Sequence, residues 1–329
     1  MKRTWFIGID ISKKTLDVAI YDLMLQTGKD HFRVENDQKG FKQLIKQLKN
    51  KGVELKEAFI CLEYCGVYGL EIGLFLENKV AFSFIAPLHI KRSLGLTRGK
   101  NDKLDAFKIA RFCYLFRGEL KPSKMPSKIM IQLKTLMAER NRVVKAAKAE
   151  KQVLKEFANQ FDESAANRIK TRIQVLEKDV KAIEKEIIEQ VEKDVKIHEN
   201  YQLLRSIIGI GLVNAVMMIL CTNNFEGITN PRSFACYCGV APFEYSSGTS
   251  IKGKTRVSNL ANKKMKADLT NAARSAVIND AELKLYYKRK REQGKDHGTV
   301  MNAVKFKIIT RAFAVINRRT PFVLLRQAG

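Results

Sequence analysis

Apolar and polar positions alternate in three short runs at the start of the chain: WFIGIDIS (5–12), LDVAIYD (16–22) and DHFRVEN (30–36). Alternation rich in β-branched and aromatic residues predicts strands, and the short connections predict an antiparallel meander. The period then lengthens. Phe41, Leu44, Ile45 and Leu48 fall at helical spacing within 38–51. EAFICLE (57–63) is apolar almost throughout, 67–78 reads as a helix, VAFSFIA (80–86) as a strand ended by Pro87, and 102–117 as another helix.

Pro122 and Pro126 punctuate the pattern and predict a boundary. Two long helical stretches follow, over 128–160 and 165–198. The second sets Ile169, Ile173, Leu176, Val180, Ile183, Ile187, Val191 and Val195 at spacings of four and three, with Glu and Lys filling much of the rest. That is a coiled-coil seam, and heptads alone leave a hairpin within one chain and a dimerisation stalk equally open. From 201 the pattern becomes helix, tight glycine turn, helix (203–220). Then come a short helix (231–237), a Gly/Ser/Lys-rich loop (244–258), and amphipathic helices over 260–279, 281–293 and 298–317. The expected organisation is therefore three parts: 1–120, 121–200 and 201–329.

The order β-β-β-α-β-α-β-α at the front is the layout of a ribonuclease-H-like sheet with helices on its faces. The fold class is α/β plus α: that sheet domain, central coiled-coil helices, and a mainly helical C-terminal domain with a helix-hairpin-helix.

Charge narrows the function. The chain of 329 residues has 60 Lys+Arg against 34 Asp+Glu, a formal net charge of +26. The excess is +7 in 1–120, +5 in 121–200 and +14 in 201–329, so it belongs to folded surfaces rather than to one basic arm. Such a surplus implies a polyanionic partner, because each neutralised phosphate releases condensed counterions. No stretch reaches the ~18 apolar residues of a membrane span, so no membrane partner is expected. Met1-Lys2-Arg3 leads straight into a strand-like run rather than a secretory signal. The six cysteines form no paired Cys-x-x-Cys knuckles and the four histidines do not pair with them at ligand spacing. Reduced, buried thiols in a cytoplasmic protein are the expectation, without zinc.

The candidate chemistry is a set of carboxylates. Asp10 sits inside the apolar run Phe6–Ile11, where an unpaired charge is expensive. Glu63 closes the run Phe59–Glu63, on the strand that neighbours the first in a ribonuclease-H-like sheet. Asp102 and Asp105, three apart, share a helix face. Four converging carboxylates repel one another unless a cation joins them, and Mg²⁺ (or Mn²⁺) takes such hard oxygen ligands and activates water or a hydroxyl for attack on a phosphodiester. Taken singly, each carboxylate has an ordinary reading, Asp102 as a helix start for example. The ordered set on this layout is far more specific. Lys91, Arg92, Arg98 and Lys100 crowd the same region and suit a phosphate-guiding rim.

In the last third, Gly209 and Gly211 lie in Ile207–Gly211 between two apolar helices, as in a helix-hairpin-helix whose backbone N–H groups approach a DNA phosphate. An ordinary helix corner uses glycine in the same way. The loop Ser246–Arg256 sets hydroxyls beside Lys252, Lys254 and Arg256. Cations near a serine could stabilise a pentavalent phosphorane, but nothing in the spacing singles out a general base. Lys288 and Arg289 follow Tyr286 and Tyr287, a pairing open to nucleic-acid contact or to plain packing.

These residues carry a resemblance. GIDISKKTLDVAIYD (8–22), LEYCGVYG (62–69) and RGKNDKLDAFKIARF (98–112) resemble the three catalytic blocks of the DEDD transposases of bacterial insertion sequences. These are bridge-RNA-guided recombinases related to the Piv-type DNA invertases. LLRSIIGIGLVNAV (203–216), FACYCGVAPFEYSSGTS (234–250), LYYKRKREQGK (285–295) and RTPF (319–322) resemble the second, transposase domain of that family. The resemblance implies a RuvC-like first domain with Asp10, Glu63, Asp102 and Asp105 as Mg²⁺ ligands. It also implies a nucleophilic serine just before Gly248, carried onto Ser247, with Ser246 and Ser250 as neighbouring alternatives. It further implies double-stranded DNA (element ends and target) and a structured guide RNA as partners, the RNA reading sequence by base pairing. A homodimer or tetramer is expected, since strand exchange needs several active sites. Where the family has Gly-Asn and Leu-Arg after the serine loop, this chain has Ala261-Asn262 and Met265-Lys266.

Three other readings stand beside a transposase-recombinase. One is a Holliday-junction-type metal-dependent endonuclease, in which Ser247 only contacts phosphate. A second is a non-enzymatic nucleic-acid-binding scaffold. The third is an actin-like ATPase or sugar kinase, disfavoured by the absence of a second phosphate-loop block.

Overall fold

The computed structural model describes residues 3–23, 27–95, 101–157, 160, 162–247 and 251–323. The chain divides into two compact units, 1–125 and 126–329.

The first unit holds the expected sheet. β1 (Trp5–Ile11), β2 (Thr15–Asp22) and β3 (Thr27–Glu35) form the meander, and β4 (Ala58–Glu63) and β5 (Ala81–Ile85) complete the order β3-β2-β1-β4-β5. The first three are antiparallel, while β4 runs parallel to both β1 and β5. This is the ribonuclease-H-like arrangement. Strand alternation divides the side chains between two cores. Ile7, Ile9 and Ile11 pack with Phe41, Leu44 and Leu48 of α1 (Gln38–Asn50) and with Ile72 and Leu76 of α2 (Leu70–Leu76). Phe6, Ala19 and Cys61 face the other way, toward Ile90 of α3 (Pro87–Ser93) and Ala106, Ile109 and Ala110 of α4 (Asp102–Leu115). Helix α3 was not expected. Pro87, read only as the end of a strand, is its first residue, where a fixed φ and a missing N–H suit helix initiation.

The second unit begins with α5 (Lys128–Phe157) and α6 (Glu163–Glu192), packed on one another as an antiparallel hairpin within the chain. Arg140–Glu184 (2.6 Å), Lys151–Glu177 (2.5 Å) and Glu150–Arg172 (3.0 Å) pair across it. The seam buries Ile169, Ile173, Ile183, Ile187 and Val191, but its expected last member, Val195, is 72% exposed. The reason is a break in the expected helix 165–198: α6 stops at Glu192, and Asp194 accepts from the Ile197 N–H to start α7 (Val195–Arg205). The rest is α8 (Leu212–Thr222), α9 (Pro231–Tyr237), β6 (Pro242–Ser247), β7 (Ile251–Val257), α10 (Lys263–Asn279), α11 (Ala281–Glu292) and α12 (His297–Arg318). The expected loop 244–258 is in large part the β6–β7 hairpin, whose Ser247 pairs with Ile251.

The hairpin has no core separate from this unit. Met130, Leu133 and Met137 of α5 and Ile187 and Val191 of α6 join one cluster with Leu204, Val216, Ile219, Phe234, Leu269 and Ile308. Two compact units therefore stand where three segments were expected, because the seam's apolar side chains at its base continue into the C-terminal core. Among the described residues, no helix is long and apolar enough to cross a membrane.

Candidate active site

Strand parity places the carboxylates. With Ile7, Ile9 and Ile11 turned toward α1 and α2, Phe6, Gly8 and Asp10 must turn toward α4. The same parity puts Glu63 on the side of Cys61, and Asp17 of β2 on the side of Ala19. Asp10 and Asp17 are direct cross-strand partners, and Ile9 pairs with Leu62, one residue before Asp10 and Glu63. Helix α4 reaches this face because β1 has a glycine beneath it: a Cβ on Gly8 would stand 2.2 Å from the Ala110 nitrogen and 2.3 Å from the Ala106 oxygen. Asn101 caps the helix, accepting from the Leu104 N–H at 2.9 Å, and its first turn carries Asp102 and Asp105.

The electrostatics report the convergence. Asp10 has its pKa pushed up to about 6, first by burial, then by the charges of Glu63, Asp105, Asp102 and Asp17. The structure thus brings Glu63, Asp102 and Asp105 close enough for their charges to act on Asp10. As placed, two of them hold cations of the chain itself: Asp102 pairs with Arg33 at 3.2 Å and Asp105 with Lys108 at 2.7 Å. Among the described residues, no three His, Cys, Asp or Glu side chains stand together as a metal-binding group. The donor chemistry nevertheless fits a hard divalent ion: all four groups offer carboxylate oxygens, and the raised Asp10 pKa marks a deficit of positive charge.

Sequence reasoning missed the support beneath this site. Asp17 is 2% exposed. It accepts from Arg33 Nε at 3.1 and 3.0 Å and lies 2.9 Å from His31 Nε2. Arg33 is fixed by the buried carboxylate through Nε, and its Nη2 reaches outward to Asp102. The available signal was a charged residue in the middle of an apolar strand, opposite a His-x-Arg alternation on the next.

Of the basic rim, Lys91 and Arg92 are exposed in the last turn of α3. Arg98 and Lys100 lie outside the described residues.

In the second unit, Ser246 and Ser247 end β6, and Gly248, Thr249 and Ser250 lie outside the described residues. Lys252, Lys254 and Arg256 are on β7, Arg256 opposite Phe243 and exposed. Gly209 has φ +95, and a Cβ there would stand 2.5 Å from the Ala272 oxygen of α10. Its glycine is thus required by helix packing. Gly211 caps α8, and its nearest neighbour is Arg205 Nη1, 3.5 Å from where a Cβ would be. Lys288 and Arg289 are exposed on α11, but the tyrosines before them pack: Tyr287 Oη is 2.8 Å from His297 Nδ1, and Tyr286 lies under Lys307 at 4.8 Å. At the departures noted after the serine loop, Asn262 caps α10 and donates to Tyr237 Oη at 2.9 Å, and Met265 is fully buried.

Comparison with known proteins finds transposase families along most of the chain. A transposase family model of the DEDD IS110 type matches residues 7–161, and the model described as the transposase IS116/IS110/IS902 family matches 201–288. The pilin gene-inverting protein of Moraxella bovis is 23% identical over 96% of this chain and 97% of its own length. The transposase for insertion sequence element IS1533 of Leptospira borgpetersenii is 25% identical over 70% of this chain and 73% of its own. Among solved structures, Thermus thermophilus RuvC in complex with a Holliday junction substrate aligns with 37% of this chain and all of its own, at 14% identity and a TM-score of 0.30. With its two halves matched in order by models of one transposase group, the chain belongs to the IS110-type transposase family.

Proposed function

We propose that this protein cuts and exchanges DNA strands as the transposase of an insertion sequence, with Asp10, Glu63, Asp102 and Asp105 as the ligands of Mg²⁺ or Mn²⁺ and Ser247 as a nucleophile. The observation that carries the reading is the gathering of Glu63, Asp102 and Asp105 around half-buried Asp10, whose pKa is pushed up to about 6 first by burial and then by neighbouring carboxylate charges. A bound divalent ion would supply charge neutralisation and polarise a phosphodiester oxygen. Asp10 and Glu63 enter from paired strands, and Asp102 and Asp105 from one helical turn, so the ligands come from rigid elements. Arg33 and Lys108, which hold two of these carboxylates, are available to phosphate oxygens once the ion takes their place.

At the serine, the hydroxyl proton is given up, Oγ bonds to phosphorus, and one bridging P–O bond to deoxyribose breaks. The departing oxygen is protonated. The strand end is held as a phosphodiester on the enzyme, and the reverse attack by a new strand end rejoins it. Duplex DNA from element ends and target, a structured RNA that reads both by pairing, and a dimer or tetramer complete the proposal.

The test is covalent trapping. Wild type, Ser247→Ala and Asp10→Ala are each mixed with Mg²⁺, labelled element-junction DNA and the element's own non-coding RNA, then run on a denaturing gel. An adduct with wild type that is absent with Ser247→Ala supports the serine reaction. Cleavage that survives Ser247→Ala but not Asp10→Ala makes the protein a metal nuclease and removes the serine step.

A further inference from the structure

The described face of α10 against α12 carries a second electrostatic anomaly, of opposite sign and far along the chain from the carboxylates. Lys305 occupies a core position of α12, in the row Met301, Val304, Lys305, Ile308, and is only 5% exposed. Its Nζ donates to Asn302 Oδ1 at 3.1 Å, a neutral partner one turn back. Burial lowers its pKa, and the charges of Lys266 and Arg274 on α10 lower it further. Lys266, Thr270 and Arg274 are spaced by four and so share one stripe of α10, which packs on α12.

Among the described residues, the acids of α10 and of the α10–α11 junction pair with other cations. Asp268 pairs with Lys264 at 3.1 Å, Asp280 with Arg311 at 2.6 Å, and Glu282 with Arg311 and Lys307. Among the described residues, none of the three cations makes an ion pair with a carboxylate. A buried ammonium beside two like charges is unfavourable unless an anion joins it. An apolar residue would fill a position in this row at lower cost. In a chain with a net charge of +26, the arrangement describes a receptor short of its anion.

We propose that Lys305, Lys266 and Arg274, with Asn302 orienting the buried lysine, form a receptor on the α10–α12 face for a backbone phosphate of duplex DNA. The choice of DNA rests on the transposase reading above. The site reads no sequence; it fixes the position of the duplex on the second unit.

The test uses the full chain in EDTA, so that strand transfer does not enter and its failure would leave this measurement intact. Binding of a labelled element-end duplex is followed by fluorescence anisotropy over a series of salt concentrations, with urea unfolding in parallel. Lys305→Met is expected to bind about 5-fold more weakly, with the slope of log K against log salt reduced by about one. The same variant unfolds at equal or higher urea, because a buried like-charge contact has been removed. Arg274→Ala, an exposed position without an ion-pair partner, shows the same change in slope and carries the test should Lys305→Met fold poorly. Wild-type affinity and slope in both variants overturn the proposal, as does a Lys305→Met that loses stability while Arg274→Ala binds normally. A loss confined to an RNA hairpin probe, with duplex binding intact, overturns the assignment to DNA.

Discussion

Asp10→Asn is expected to stabilise the first unit in the absence of metal, although it removes the centre of the proposed active site. Asp10 titrates at about 6 in the folded protein against 3.8 ordinarily, because burial and the charges of Glu63, Asp105, Asp102 and Asp17 disfavour its ionised form. The folded state therefore binds the Asp10 proton more tightly than the unfolded state does. Its stability falls as pH rises from about 4 to about 6, and the full penalty is present above that window. A shift of this size corresponds to ~3 kcal/mol, which solvent screening of a half-buried group reduces to ~1–2 kcal/mol. Asparagine keeps the shape and discards the charge. The variant should exceed wild type by that margin at pH 8, and the difference should shrink at pH 5. Trp5, the one tryptophan of the chain, lies on β1, so its fluorescence during urea unfolding in EDTA reports this unit selectively. Adding Mg²⁺ or Mn²⁺ at pH 8 should reverse the order, raising wild type and leaving Asp10→Asn unmoved. An Asp10→Asn protein less stable than wild type at pH 8, or a difference independent of pH, would refute the charge-repulsion argument.

Other perturbations test the supports. Arg33→Gln leaves the buried Asp17 carboxylate with His31 alone and should lower the urea midpoint of the first unit, whereas Arg33→Gln with Asp17→Asn should recover most of the loss in a double-mutant cycle. Gly209→Ala combines a left-handed φ with a Cβ 2.5 Å from a carbonyl oxygen of α10, and should lower the urea midpoint of the second unit by ~2–4 kcal/mol equivalent, read by far-UV circular dichroism. Gly8→Ala should be at least as damaging to the first unit, because both nearest atoms are helix backbone and cannot rotate away.

What the sequence disclosed follows its periodicities. Strand parity was enough to turn Asp10 away from Ile9 and Ile11, and the i, i+3 spacing of Asp102 and Asp105 was enough to place them on one helical turn. The same local rules could not see which surfaces meet. Gly8 reads as a small residue in a strand, and only the crossing of α4 makes it obligatory. Gly209 reads equally as a backbone opening for phosphate or as an ordinary helix corner, and the packing of α10 against it is what the sequence does not show. The serine loop lacks apolar alternation and reads as a loop, and among its described side chains Phe243, Glu244, Thr255 and Arg256 are exposed, so no apolar period marks the β6–β7 pairing.

The two charge anomalies of the chain have one physical form. At Asp10, carboxylates are gathered beyond what the resident cations neutralise. At Lys305, cations are gathered and, among the described residues, Asp268, Asp280 and Glu282 are paired with other cations. Neither cluster lowers the energy of the protein by itself, since like charges brought together out of water raise it. Under the proposed function, a divalent cation would neutralise the first and a DNA phosphate the second. On that reading the unfavourable charge in the free protein is a reserve of binding energy for the substrate. Stabilising either cluster by neutral substitution should weaken DNA handling in proportion to the stability gained.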